Sequence, residues 1–98
     1  MLKSIVIGSN GYIGSHLVYY LKSLKHHVIA LDVDEESVVQ ADEYFKVDIT
    51  NKSEIQALSF DVNFVFIFAG LTGTMNGFTK YEKYIRINEI GLLNILSH

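Results

Sequence analysis

The chain is expected to fold as an α/β protein, a parallel sheet of about four strands in the order 3-2-1-4 with helices on both faces. Three observations predict this. Short β-branched apolar runs recur along the 98 residues with helix-like stretches between them. The first and fourth runs are apolar nearly throughout, as strands buried on both faces should be. Three glycines, each separated by two residues in GSNGYIG, follow the first run and open the first helical stretch.

Taken in order, the strands fall over residues 4–7, 27–32, 43–47 and 63–69. Between the first two, Ile13, Leu17, Leu21 and Leu24 recur at spacings of four, four and three, one apolar stripe along a helix. Lys22 and Lys25 lie towards its C-terminal end, where the helix dipole favours cations. Asn51 with Glu54, and Thr79 with Glu82, have the spacing of a reciprocal capping box and place helix starts near Lys52 and Lys80. In the later helix, 80–96, Tyr84, Ile85, Ile87, Ile90, Leu92, Leu93, Ile95 and Leu96 cover most of the circumference, which implies burial on more than one side. No proline, repeat, low-complexity stretch or linker interrupts the chain, so residues 1–98 read as one domain.

Composition excludes several classes of function. The formal net charge is −3 and the eight Lys and Arg residues are scattered, so no basic stripe is present to neutralise nucleic-acid phosphates. The absence of cysteine removes a disulfide framework, a thiolate metal site and a cysteine nucleophile together, and fits a cytoplasmic setting. The apolar run before Gly8 is too short for a signal-peptide core or a membrane span. Asn51-Lys52-Ser53 matches the glycosylation acceptor pattern, but without an export signal it reads as a helix start. His16, His26, His27 and His98 do not make a metal site: the adjacent pair cannot share a helix face and no carboxylate pair completes a ligand set.

The glycine loop carries the chemistry. It departs from the strict G-x-G-x-x-G fingerprint because Asn10 stands where the second glycine would be. In the wider spacing, Gly8 makes the turn after the strand, Gly11 lets a pyrophosphate approach the backbone, and Gly14 permits close packing of the helix, with Asn10 and Ser9 supplying donors. Asp32 follows about 20 residues later at the end of the second strand, where ribose hydroxyls are expected. A carboxylate there accepts from a 2′-hydroxyl and repels a 2′-phosphate, and no Arg or Lys follows the strand closely, which favours NAD over NADP. Asp34, Glu35 and Glu36 add to that repulsion, although they read more simply as the opening of a helix.

With GSNGYIGSHL, Asp32, Val47-Asp48-Ile49, Phe66-Ile67-Phe68-Ala69-Gly70 and the stretch from Ile87 to Leu96 (INEIGLLNIL) in hand, the chain resembles the extended short-chain dehydrogenase/reductase family. More narrowly, it is similar to the NAD-dependent epimerase/dehydratase group that acts on nucleotide sugars. The resemblance implies the N-terminal part of a Rossmann-like NAD(P)-binding domain. Carried over by residue, it implies that Gly8, Gly11 and Gly14 hold the pyrophosphate with Tyr12 and Ile13 as backbone neighbours, and that Asp32 binds the adenosine ribose. Asp48 and Ile49 would flank the adenine, Ala69 and Gly70 would let the cofactor cross the end of the fourth strand, Leu71 would lie towards the nicotinamide, and Asn88 would support the fold near the cofactor side. Ile7, where the family often has threonine, and Gly70, where it often has alanine, depart from the pattern without affecting the cofactor assignment.

The larger departure is an absence. The family's acid/base is a Tyr-x-x-x-Lys pair, and none of Tyr12, Tyr19, Tyr20, Tyr44, Tyr81 or Tyr84 has lysine four residues on. No residue here is therefore assigned a catalytic role, and the chain is expected to be a truncated portion of a longer enzyme acting on a nucleotide-sugar substrate. A homodimer is expected through helix 80–96 or through the edge of strand 63–69; for the helix, cover by the sheet and by further elements explains the apolar surface equally well. The polar loop Thr72, Gly73, Thr74, Asn76 and Gly77 reads equally as a substrate contact or a plain connection. Two other functions remain open: a non-catalytic nicotinamide-nucleotide sensor, and a methyltransferase, which the third glycine and the Asn88 helix disfavour.

Overall fold

The computed structural model describes residues 1–68 and 91–96. They fall into two compact units, Met1–Val47 with Phe60–Ala69, and Asp48–Ser59 with Gly70–His98. The first unit contains β1 (Lys3–Ile7), α1 (Tyr12–Ser23), β2 (His27–Asp32), β3 (Glu43–Lys46) and β4 (Phe64–Ile67). The second contains α2 (Lys52–Gln56) and, among its described residues, α3 (Leu92–Leu96). Most of the expected helix 80–96 lies outside the described residues, as do the loop 72–77, the Thr79 cap, Tyr81, Tyr84 and His98.

The four strands form one parallel sheet in the order β3-β2-β1-β4, the order expected. β1 is central, pairing Ser4 with Val28 on one side and with Phe64 on the other. Its β-branched run Ile5-Val6-Ile7 is at most 1% exposed, so both faces of this strand are buried, and continuous hydrophobicity is what such a position requires. One face packs under α1, where Val6, Val28 and Val39 meet Val18 and Leu21, with Leu17, Ala41 and Phe66 at the margin.

The inward face of α1 is rotated from the stripe read in the sequence. Gly14, Val18 and Leu21 are buried, whereas Ile13 and Leu24, the two ends of the expected stripe, are 61% and 52% exposed. The reason is the first turn: Gly14 lies against the backbone of the preceding loop, and that contact sets which side of the helix turns down. α1 then ends in a Schellman arrangement, with His26 N–H donating to Leu21 O and Lys25 N–H to Lys22 O. Lys25 occupies the left-handed position of that motif at φ 65°, which a glycine would adopt more easily.

Asp42 ties together the lower end of the sheet, remote from the glycine loop. Lys22 Nζ donates to both its carboxylate oxygens, at 2.9 and 2.8 Å, and Val28 N–H donates to Oδ2 at 2.7 Å. One side chain thus joins the last turn of α1, the start of β2 and the approach to β3. The Lys22 hydrogen bond first, and that from Val28 N–H second, hold the Asp42 carboxyl below its ordinary value of 3.8. Nearby, the buried Ser4 hydroxyl is 2.8 Å from His26 Nδ1, and the His26 ring stacks on Phe64 at 6.1 Å.

In the second unit, α2 starts where expected. Asn51 Oδ1 accepts from Ser53 N–H and Glu54 N–H. The reciprocal half of the capping box differs: Asn51 N–H already donates to Asp48 O, so the Glu54 carboxylate accepts from Asp48 N–H instead, at 3.4 Å.

Two outcomes follow from these anchors. Lys25→Gly removes the left-handed penalty and should raise the unfolding free energy by about 0.5–1 kcal/mol in urea titration. Because the folded pKa of Asp42 lies below its unfolded value, the stability it contributes is present above 3.8 and lost as pH falls through the folded value. Urea titrations at neutral and strongly acid pH should therefore show a loss on the order of 1 kcal/mol in the wild type that Asp42→Asn lacks.

Candidate functional site

β1 delivers the chain to its C-terminal end, where Gly8 turns it at φ 88°, a left-handed conformation that favours glycine. Gly8 N–H and Ser9 N–H both donate to Leu31 O, at 2.8 and 3.2 Å, so the turn is stitched to the end of β2. A Cβ on Gly14 would lie 2.1 Å from Gly8 O and 2.9 Å from Gly8 C. No side chain fits there, because both obstructing atoms are backbone. The start of α1 thus sits directly on the turn that ends β1.

Gly11 differs. It is the N-cap of α1 in extended backbone, φ −74° and ψ 173°, and an added Cβ would meet only Gly8 O, at 3.4 Å, an ordinary contact. The fold therefore does not require glycine at this position. Neither a side-chain cap nor an acidic residue in the first turn neutralises this helix start. Ser15 N–H is the first to find an intrahelical acceptor, Gly11 O at 2.9 Å, so helix geometry leaves the N–H groups of Tyr12, Ile13 and Gly14 at the open end. The Tyr12 and Ile13 side chains are exposed.

Asp32 closes the other side. Its Oδ2 accepts from Asn10 N–H at 2.8 Å and its Oδ1 from Val33 N–H at 2.7 Å, leaving lone pairs on both oxygens for further donors. The side chains expected to donate to a phosphate are otherwise occupied. Asn10 Nδ2 donates to Asp34 Oδ2 at 2.9 Å and to Glu36 O at 3.0 Å, while Asn10 Oδ1 accepts from Val38 N–H at 2.9 Å. Ser9 Oγ is buried and turned to Leu31 O. Donors at the loop are thus backbone groups, and Asn10 is a fastener between two loops.

Residues 34–36 do not open a helix; they lie in an irregular loop secured at several points. Tyr44 on β3 donates its hydroxyl to Asp34 O at 2.6 Å. Burial, followed by the Asp32 and Asp34 charges, pushes the Tyr44 phenol above its ordinary value of 10.0 and keeps it a donor. The pairing of β3 with β2 also brings Lys46 into register with Asp32, a cation that local sequence does not reveal, and Lys46 Nζ is ion-paired with Glu35.

Asp48 and Ile49 belong to the second unit. The Asp48 carboxylate accepts from Thr50 N–H and Thr50 Oγ1, while Ile49 is buried. A Cβ on Gly91 would come within 2.6 Å of the Ile49 side chain, and Asn94 Nδ2 donates to Ile49 O at 2.9 Å. Gly91 and Asn94 were visible in the sequence only as parts of the motif around Asn88, and the structure gives them the task of seating Ile49. Ala69, Gly70, Leu71 and Asn88 lie outside the described residues. Among the described residues no three His, Asp or Glu side chains gather as a metal site, and no helix is long and apolar enough to cross a membrane.

A family model described as NAD dependent epimerase/dehydratase matches residues 4–98. Among solved structures, the chain is similar to the UDP-glucose 4-epimerase of Thermus thermophilus, solved in complex with NAD, at 24% identity and a TM-score of 0.87, covering 98% of this chain and 33% of that one. The UDP-glucose-4-epimerase of Stenotrophomonas maltophila, with bound NAD and formylated UDP-arabinopyranose, matches at 24% identity and 0.85, over 99% and 33% of the two chains. An epimerase of Methanothermobacter thermautotrophicus matches at 25% and 0.85, over 98% and 31%. The chain thus spans about a third of the length of these structures. No curated protein matches it.

Since the space against Gly14 is closed by backbone, Gly14→Ala should lower the unfolding free energy by about 2 kcal/mol or more, measured by urea titration. An unchanged midpoint would show that α1 can lift from the turn without loss.

Proposed function

The chain belongs to the NAD dependent epimerase/dehydratase family, and on that premise we propose that it is the NAD-binding part of a cytoplasmic nucleotide-sugar epimerase or dehydratase. Gly11 carries this reading. Its backbone is unstrained and a Cβ there would make one ordinary contact, so beyond an N-cap preference of about 1 kcal/mol the fold does not call for glycine. It stands at an uncapped helix start, where backbone N–H groups and the helix dipole favour an anion such as a pyrophosphate. These features fit the cofactor on the structure's own terms.

In this reading Gly8 turns the chain away from the phosphates, and the N–H groups of Tyr12, Ile13 and Gly14 bind them. Gly14 holds α1 close enough for those groups to reach. Asp32, fixed by Asn10 and Val33 N–H, accepts hydrogen bonds from the adenosine ribose and disfavours a 2′-phosphate. Asp48 and Ile49 flank the adenine, Ala69, Gly70 and Leu71 border the path towards the nicotinamide, and Asn88 supports that side. NAD, when bound, supplies reversible hydride storage, taking a hydride from a sugar carbon and returning it. The 98 residues contain no Tyr-x-x-x-Lys pair, so their task in this reaction is to bind and orient the cofactor.

Gly11→Ala tests the reading. Its unfolding free energy should stay within about 1 kcal/mol of the wild type, the cost of alanine at an N-cap. Calorimetric titration should show NADH affinity falling by at least about tenfold, a loss of roughly 1.4 kcal/mol. Equal NADH affinity in the two proteins would overturn the proposal.

A further inference from the structure

Asn10 is the point at which three separate parts of the site are joined. Its backbone N–H holds Asp32 Oδ2 at 2.8 Å, and its side chain holds Asp34 Oδ2 at 2.9 Å, Glu36 O at 3.0 Å and Val38 N–H at 2.9 Å. One residue of the glycine loop therefore grips the end of β2 and the loop after it. It also donates to two carboxylates, from its backbone N–H to Asp32 and from its side chain to Asp34. Lys46, in register with Asp32 on β3, is ion-paired with Glu35 of the same loop.

We propose that Asn10 is a positioning residue for cofactor choice: it fixes Asp32 and Asp34 in one arrangement that accepts an adenosine ribose with a free 2′-hydroxyl and rejects a 2′-phosphorylated one. The inference rests on the NAD-binding reading above and deepens it. Asp32 supplies the ribose acceptor, but a 2′-phosphate adds close to two negative charges, and its rejection depends on how many carboxylates are held in place near it. The loop bearing Asp34 is irregular from Val33 onward, so its carboxylate has a fixed location only through its fastenings. Tyr44 fastens the Asp34 carbonyl, whereas Asn10 is the side chain that fastens the carboxylate itself.

The test compares calorimetric affinities for NADH and NADPH across variants, with hydrogen exchange at Val38 N–H in the ligand-free chain as a second readout. Asn10→Ala keeps the backbone N–H that holds Asp32 but frees the Asp34 carboxylate, so it should speed Val38 exchange, leave NADH affinity within about twofold and strengthen NADPH, narrowing the preference by about fivefold. Asn10→Asp, which sets a third carboxylate beside Asp34, should lose both NADH affinity and Val38 protection. Adding Asp34→Asn to it inverts the direction of the hydrogen bond and should restore part of both, the contact with Glu36 O staying lost. Should Asn10→Ala fail to fold, the inverted pair still decides the matter. An unchanged preference between NADH and NADPH in Asn10→Ala, or no recovery in the inverted pair, would overturn the inference while leaving the cofactor reading intact. A wild-type chain that binds no NADH would overturn both, even with Val38 protected.

Discussion

The contact between Gly14 and the backbone of Gly8 is the constraint from which the arrangement of the site follows. A helix that starts directly on the turn ending a strand cannot have a side chain between them, and here the space a methyl group would need is already taken by Gly8 O. This contact fixes the rotation of α1 and so selects Val18 and Leu21 for the core. It also places the helix start at the C-terminal end of the central strand, beside Leu31 O and Asp32. Packing and the uncapped helix start are thus consequences of one close approach, served by different glycines: Gly14 makes the approach, Gly8 makes the turn that receives it, and Gly11 begins the helix without a side chain.

The sheet is held differently at its two ends. At the lower end the fastening is ionic and concentrated in Asp42, which meets Lys22 and Val28 N–H. At the upper end it is a lattice of hydrogen bonds centred on Asn10 and completed by Tyr44 and the Lys46–Glu35 pair. The lower clamp secures α1, β2 and β3 to one another, while the upper lattice fastens the loop after β2 to the glycine loop and to β3.

Much of this could be read in the residues beforehand, because it rests on local pattern. The β-branched runs located all four strands, the glycine spacing after Ile7 located the loop, and Asp32 was placed by its distance from that loop. What escaped was set by non-local contact. Hydrophobic spacing alone favoured Ile13 and Leu24 as core, but the backbone contact at Gly14 turned them outward. Asn10 is a polar residue in a glycine loop, which invites a ligand contact; only the return of residues 34–38 to meet it reveals its partners. Lys46 lies fourteen positions after Asp32 and reaches it through strand pairing alone. Gly91 and Asn94 show the same limit, since their shared partner, Ile49, is more than forty residues away.

The order β3-β2-β1-β4 also has a kinetic consequence. The strand at the centre is the first in the chain, and its two neighbours arrive from very different distances. β2 reaches it across one helix, whereas the pairing of Ser4 with Phe64, reinforced by Lys3 N–H on Asn63 Oδ1, closes a span of sixty residues. Loop closure over that length gains nothing until both ends meet, so such pairings slow folding. β1, β2 and α1 can assemble early around Val6, with β4 docking in a later step. Until then, one edge of the most deeply buried strand in the sheet stands open, and the time spent in that state governs how readily the chain pairs with a neighbour instead of with itself.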